Sequence, residues 1–165
     1  MHLPKTKLRI FWLIVFAIFI AGCANRLAMH SFSFDADDHP GIEILDYRYG
    51  ESRQPSARPS EADKRAGDVR QSASITGDMV VGEDLYVLWR VRATGKKYEQ
   101  KVDLAPLLPR DMRNHRIHFS VNGERITVFL ITPERRGHAE PSIGPRWYSS
   151  LRAQVIFSGQ GREVQ

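Results

Sequence analysis

Asp111, His115 and His118 are the strongest metal-binding candidates in this 165-residue chain. An imidazole pair with a nearby carboxylate is a donor set suited to zinc and other borderline cations. On a strand, however, side chains three residues apart point to opposite faces. His115 and His118 can therefore share an ion only if the strand begins after His115. Asp35, Asp37 and Asp38 form an all-oxygen cluster of the kind a hard cation takes, but the glycine and later glutamate of an EF-hand loop are missing. Solvated turn acids before His39-Pro40-Gly41 account for that cluster better. His138 and Glu140 have no partner motif. No serine sits in a G-x-S-x-G elbow, the sole thiol is Cys23, and no glycine loop leads into a helix as a phosphate cradle does. The inventory is that of a chain which is not an enzyme and needs no cofactor or metal.

Aromatic and basic residues make a more promising surface. Arg135, Arg136, Arg146, Trp147 and Tyr148 gather around a loop, residues 133–146, that holds three prolines and two glycines. Tyr86, Arg90 and Arg92 share one face of a strand. Trp, Tyr and Arg are enriched where proteins bind proteins, although core-edge aromatics beside solvated arginines have the same composition.

The address of these residues is written at the N-terminus. Lys5, Lys7 and Arg9 precede an unbroken apolar run from Ile10 to Ala21, followed by Gly22 and Cys23, with no acid before Asp35. At about 1.5 Å per residue that run spans ~18 Å, short of the ~30 Å hydrocarbon core. A positive flank, a short apolar segment and small residues at its exit are the layout of a secretory signal. Ile20-Ala21-Gly22-Cys23 also resembles the lipobox of bacterial lipoproteins. That resemblance covers only residues 1–23. It implies acylation of the Cys23 sulfur, cleavage between Gly22 and Cys23, and a membrane held as partner through the acyl chains. With Ala24 where an aspartate would favour inner-membrane retention, it further implies the periplasmic face of the outer membrane. An uncleaved anchor with an incidental thiol, or an ordinary secretory signal, explains the solitary cysteine less well. The stretch from Gly82 to Pro133 is similar to small proteobacterial lipoproteins with no assigned activity, which says nothing about mechanism.

Removing residues 1–22 takes away three of the 24 Lys and Arg and none of the 19 acids, leaving 21 against 19. Near-neutral charge gives no case for nucleic acid. With its single cysteine in the lipobox, the chain has no disulfide to brace it, so an apolar core must hold the fold.

The remaining pattern positions the candidates. Residues 23–41 read as lipidated cysteine and tether, with Phe32 and Phe34 alternating with serines as in a short edge strand. Residues 42–158 form the domain. Ile42–Tyr49 is β-branched and aromatic, as strands are. Residues 51–74 hold one strongly apolar residue, Val69, and no aromatic, which predicts a disordered loop. A Thr94-Gly95 hairpin would pair Ala93 with Lys96, Val91 with Tyr98 and Arg90 with Glu99. An Asn122-Gly123 hairpin would pair Phe119 with Ile126 and Ile117 with Val128. Beyond Val128 the second strand is apolar on both faces, and so needs cover on its outer side from another sheet or from Leu107–Met112. Trp147–Phe157 reads as the last strand and residues 159–165 as a frayed tail. Six or seven short strands without a long amphipathic helix predict a single antiparallel β-sandwich. Such a chain reads as a membrane-anchored envelope module that binds or assembles with another envelope protein. The alternatives are a metal-dependent binder or enzyme using Asp111, His115 and His118, or a binder of a charged envelope polymer through the basic loop.

Overall fold

The computed structural model describes residues 26–37 and 39–165. Gly22, Cys23, the apolar run before them and Asp38 lie outside the described residues. Within those residues nine strands make two sheets: β1 (Leu27–Asp35), β2 (Ile42–Tyr49), β3 (Ser72–Val80), β4 (Asp84–Val91), β5 (Lys97–Asp103), β6 (Arg116–Asn122), β7 (Arg125–Arg135), β8 (Leu151–Gln160) and β9 (Arg162–Val164). One short helix, α1 (Glu61–Ala66), and a 3-10 turn at Arg146–Tyr148 complete the elements. One sheet runs β3-β1-β6-β7-β8 and the other β2-β4-β5-β9, with the apolar core between them. All the strand pairs are antiparallel except β1 with β6, which is parallel. The fold is an all-β sandwich, as the spacing of short strands predicts.

The expected tether is instead structure. Residues 27–35 form β1, an interior strand flanked by β3 and β6. Its even positions send His30, Phe32 and Phe34 into the core, where Phe32 stacks on Tyr49 with ring centroids 4.8 Å apart. Its odd positions, Ser31 and Ser33, are also buried, because the outer face of this sheet has a cover of its own.

The expected disordered loop is likewise ordered, by polar contacts that composition does not count. Gln71 plugs the free edge of β2: the Ile44 amide donates to its Oε1 at 2.8 Å, and its Nε2 donates to the Ile44 carbonyl at 3.0 Å. Arg58 donates to the Ser52 and Gly50 carbonyls, and Ser60 with Asp63 forms a capping box on α1. Residues 72–74 already belong to β3.

Both hairpins keep the expected faces but slip by two residues. Trp89 pairs with Tyr98 and Arg90 with Lys97, and the turn takes four residues, closed by Gly95 amide to Val91 carbonyl at 2.8 Å. A tight two-residue turn would require positive φ of the β-branched Thr94, so the chain spreads the turn and gives positive φ to Gly95 alone, at +70°. Arg90, no longer opposite Glu99, pairs with Glu43 of β2 at 3.0 Å. In the second hairpin Asn122 pairs with Arg125 and Phe119 with Val128. The turn residues are Gly123, φ +57°, and Glu124, placing glycine first as a type II′ turn requires. A slip of two leaves every side chain on its face, and that is why the apolar pattern survives it.

The C-terminus is not frayed. β9 pairs with β5, and the Gly161 amide donates to the Glu124 carbonyl at 2.8 Å. A Cβ on Gly161 would run into the Trp89 ring, 2.7 Å from its Cζ2 and 3.0 Å from Tyr98 Cβ. Gly161→Ala is therefore expected to cost about 1–3 kcal/mol by overpacking. Urea unfolding measures it, and an unchanged midpoint would contradict this packing.

Candidate functional site

The outer face of the five-stranded sheet carries the site. Ser33 on β1, Arg116, His118 and Ser120 on β6, and Phe129 and Ile131 on β7 alternate with core residues and so share this face. Phe129 and Ile131 meet the expectation of a strand apolar on both sides. Their cover, however, is the proline loop and not Leu107–Met112, whose Leu108 and Met112 belong to the sandwich core. Gly144 comes down over Phe129 with φ +88°, and a Cβ there would sit 3.3 Å from the Phe129 ring. The following residues turn back as the 3-10 turn, so Trp147–Phe157 is not one strand: β8 begins at Leu151. Residues 133–135, placed by sequence in the loop, extend β7 through a bulge that accommodates Pro133.

Two polar pairs fasten the loop. Arg136 donates through Nε to the Ser149 carbonyl at 2.9 Å and through Nη1 to the Glu140 carbonyl. Arg152 bridges Glu140 and Glu134 at 2.9 and 2.6 Å. Tyr148 lies edge-on to His118, centroids 6.0 Å apart, while the Arg116 guanidinium stacks 4.8 Å above the tyrosine ring. Trp147, by contrast, is 74% exposed.

His118 is the floor of the site and only 4% exposed. Its Nδ1 and the Ser33 hydroxyl are 2.9 Å apart. Burial, with a smaller contribution from nearby Arg116, pushes its pKa down to about 4, so the ring is neutral at pH 7. Nε2 hydrogen bonds to none of the described residues. Concavities of about 360 Å³ open on either side of Trp147, and both are lined by His118, Asp35 and Trp147. One adds His39, Ser120 and Arg146, and the other adds Ser33, Arg70 and Tyr148. The imidazole edge of His118 lines both concavities and offers a ligand one hydrogen-bonding position. A base with pKa near 4 takes little proton from a serine at pH 7, so Ser33 and His118 are poorly matched as nucleophile and base.

The metal candidates do not come together. Arg113 holds both oxygens of Asp111, at 3.0 and 2.6 Å, and pushes its carboxyl down to about 2. His115 gives its Nδ1 to the Arg113 carbonyl at 3.0 Å, and His118 is turned under the loop. Among the described residues no group of three or more His, Cys, Asp and Glu is placed to hold an ion. Asp37 donates its amide to Asp35 Oδ1 at 3.0 Å, the geometry of a turn acid. His138 is exposed, and Glu140 works as a fastener of the loop. Arg135 is exposed across from Leu151, and Arg146 opens the 3-10 turn. Ser33, Asp35, Arg70 and Arg116 complete the site: Asp35 comes from the acidic cluster, Ser33 has a signal only in the Ser-Phe-Ser-Phe alternation of β1, and Arg70 and Arg116 have none. Comparison with protein-family models, curated proteins and solved structures found no significant match.

Proposed function

We propose that the chain is a membrane-anchored, non-enzymatic binding module of the bacterial envelope, held by acyl chains on Cys23, that presents the Trp147 face to an envelope protein. The observation that carries this reading is Trp147 itself. A large aromatic side chain stands in solvent between two concavities, on a loop fastened by Arg136 and Arg152. A pre-positioned aromatic anchor loses little entropy on binding, and such residues dominate interface energies. The partner would stack on Trp147 and offer a hydroxyl or amide to His118 Nε2. The lipobox resemblance supports the anchor, and Ala24 supports the periplasmic face of the outer membrane. The charged-polymer reading is weaker, because Arg136, one of its cations, is committed to the loop.

A photo-crosslinking amino acid at position 147 in cells is expected to give a discrete adduct with an envelope protein. The same group at Lys101, exposed on the outer face of the four-stranded sheet, should give none. Trp147→Ala should weaken that complex by roughly 2 kcal/mol, about 30-fold. No adduct at 147, or equal adducts at both positions, would overturn the reading.

A further inference from the structure

Three residues, Ala24, Asn25 and Arg26, separate Cys23 from Leu27, where β1 begins. At no more than ~3.6 Å per residue, Arg26 lies within ~11 Å of the cysteine and within ~18 Å of Ala21, the last residue of the apolar run. Whether the bilayer holds acyl chains on Cys23 or the run itself, the end of the sandwich where β1 starts stays at the headgroups.

That end has the surface such a position calls for. Of the six large hydrophobic side chains exposed among the described residues, three are there: Leu27 at 69%, Met29 at 47% and Leu107 at 37%. The other three, Ile143, Trp147 and Val155, belong to the loop and β8. Hydrogen bonds join the start of β1 to the crossing that carries Leu107. Arg26 Nη1 donates to the Pro109 and Arg110 carbonyls, both at 3.1 Å, and the Asn114 amide donates to the Met29 carbonyl at 2.8 Å. Asp111 and Arg113 neutralise each other on this crossing, and Arg26 and Arg110 have no carboxylate partner within ion-pair distance among the described residues, while Asp78, opposite Met29, and Glu51, beside Leu27, set the acidic rim of the patch.

We propose that this end is a lipid-contacting face, with Leu27, Met29 and Leu107 entering the headgroup–acyl boundary and Arg26 and Arg110 at the level of the lipid phosphates. Apolar side chains beside arginines are the composition of interfacial contacts, and anionic headgroups attract the cations. The occupant is a phospholipid surface because the tether leaves the domain no room to leave it. The inference rests on the N-terminal anchoring proposed above. It adds an orientation: Ser33 is six residues along β1 from Leu27, so the Trp147 site can stand up to ~20 Å above the headgroups.

The chain's one cysteine makes the test direct, since with Cys23 acylated an introduced cysteine is labelled alone. The full chain, purified from membranes, carries bimane at Met29→Cys, Leu107→Cys or Thr94→Cys. It is reconstituted into phosphatidylethanolamine–phosphatidylglycerol vesicles (about 3:1) that contain acyl-chain nitroxide lipids. At least twofold quenching at positions 29 and 107, with none at 94, is expected. Vesicle-bound protein without quenching at 29 and 107 would overturn the lipid face and leave the anchor standing. Protein that does not float with vesicles would overturn both. Equal quenching at 29, 107 and 94 would show lipid contact without a preferred face and overturn the proposal.

Discussion

Phe32→Ala is expected to remove about 3–5 kcal/mol of stability, the usual cost of truncating a fully buried phenylalanine. The residue is 0% exposed and lies on β1, an interior strand of the larger sheet. Its ring lies nearly parallel to Tyr49 of the opposite sheet, 8° between planes, and within 6.0 Å of Phe119 on the neighbouring strand. Tyr47 lies 6.4 Å away on the same strand as Tyr49. The side chain therefore couples both sheets, and aromatic pairs add about 0.5–1.5 kcal/mol beyond the area they bury. No disulfide can compensate in a chain with one cysteine. Against a typical total of about 5–15 kcal/mol, such a loss leaves the domain marginal. Phe157, only partly buried at the rim of the core, is the internal comparison: Phe157→Ala should cost less than half as much. Urea titrations followed by far-UV circular dichroism measure both, and equal costs would refute the central place given to Phe32.

The same strand shows what a sequence reveals and what it hides. Alternation assigns Phe32 and Phe34 to the core, but with Ser31 and Ser33 between them it reads as a half-polar edge. Ser31 is bonded to Thr76 at 2.8 Å and Ser33 to His118 at 2.9 Å, partners 45 and 85 residues away. Local pattern cannot announce that a polar face will be roofed. The faces of both hairpins were legible because side-chain period is a property of each strand alone. Register was not, because it depends on which turn residue accepts positive φ. Residues 51–74 looked unable to order because composition counts apolar surface, whereas Gln71, Arg58 and the Ser60–Asp63 box order it through backbone hydrogen bonds. At the site, Arg146, Trp147, Tyr148 and His118 could each be singled out by residue type. Their convergence depends on the descent of Gly144 onto Phe129, a tertiary event with no local signature. Residues 51–71 and β1 also place Arg70 and Asp35 at the rim, from segments that sequence assigned to loop and tether.

Acidification from pH 7.5 to 5.0 should destabilise the domain by on the order of 2 kcal/mol, through His118. In the unfolded chain this imidazole titrates near 6.5, whereas in the fold burial depresses its pKa to about 4. The unfolded state binds the proton first, so the stabilisation is complete above pH 6.5. It falls by about 1.4 kcal/mol per pH unit down to about 4, reaching on the order of 3 kcal/mol. His30 acts in the same direction, depressed by burial and partly compensated by its bond to the Ala28 carbonyl. Carboxylates held below their usual range, among them Asp111 and Glu140, lose their contribution only at lower pH, so the window from 6.5 to about 4.5 belongs to the histidines. His118→Gln keeps a hydrogen-bonding group opposite Ser33 without a titrating ring, and should flatten most of this dependence, leaving the part due to His30. Urea midpoints of both proteins at pH 7.5 and 5.0 decide the matter, and an equal fall in the two would exonerate His118. The site should respond before the rest of the fold. A protonated His118 would lie beneath Tyr148 and beside Arg116, with the neutral Ser33 as its one hydrogen-bond partner among the described residues, so relief comes most readily by lifting the Gly144–Tyr148 segment off the sheet. A binding surface built on that segment would then weaken toward its partner as the pH falls to about 4, where the buried ring takes its proton.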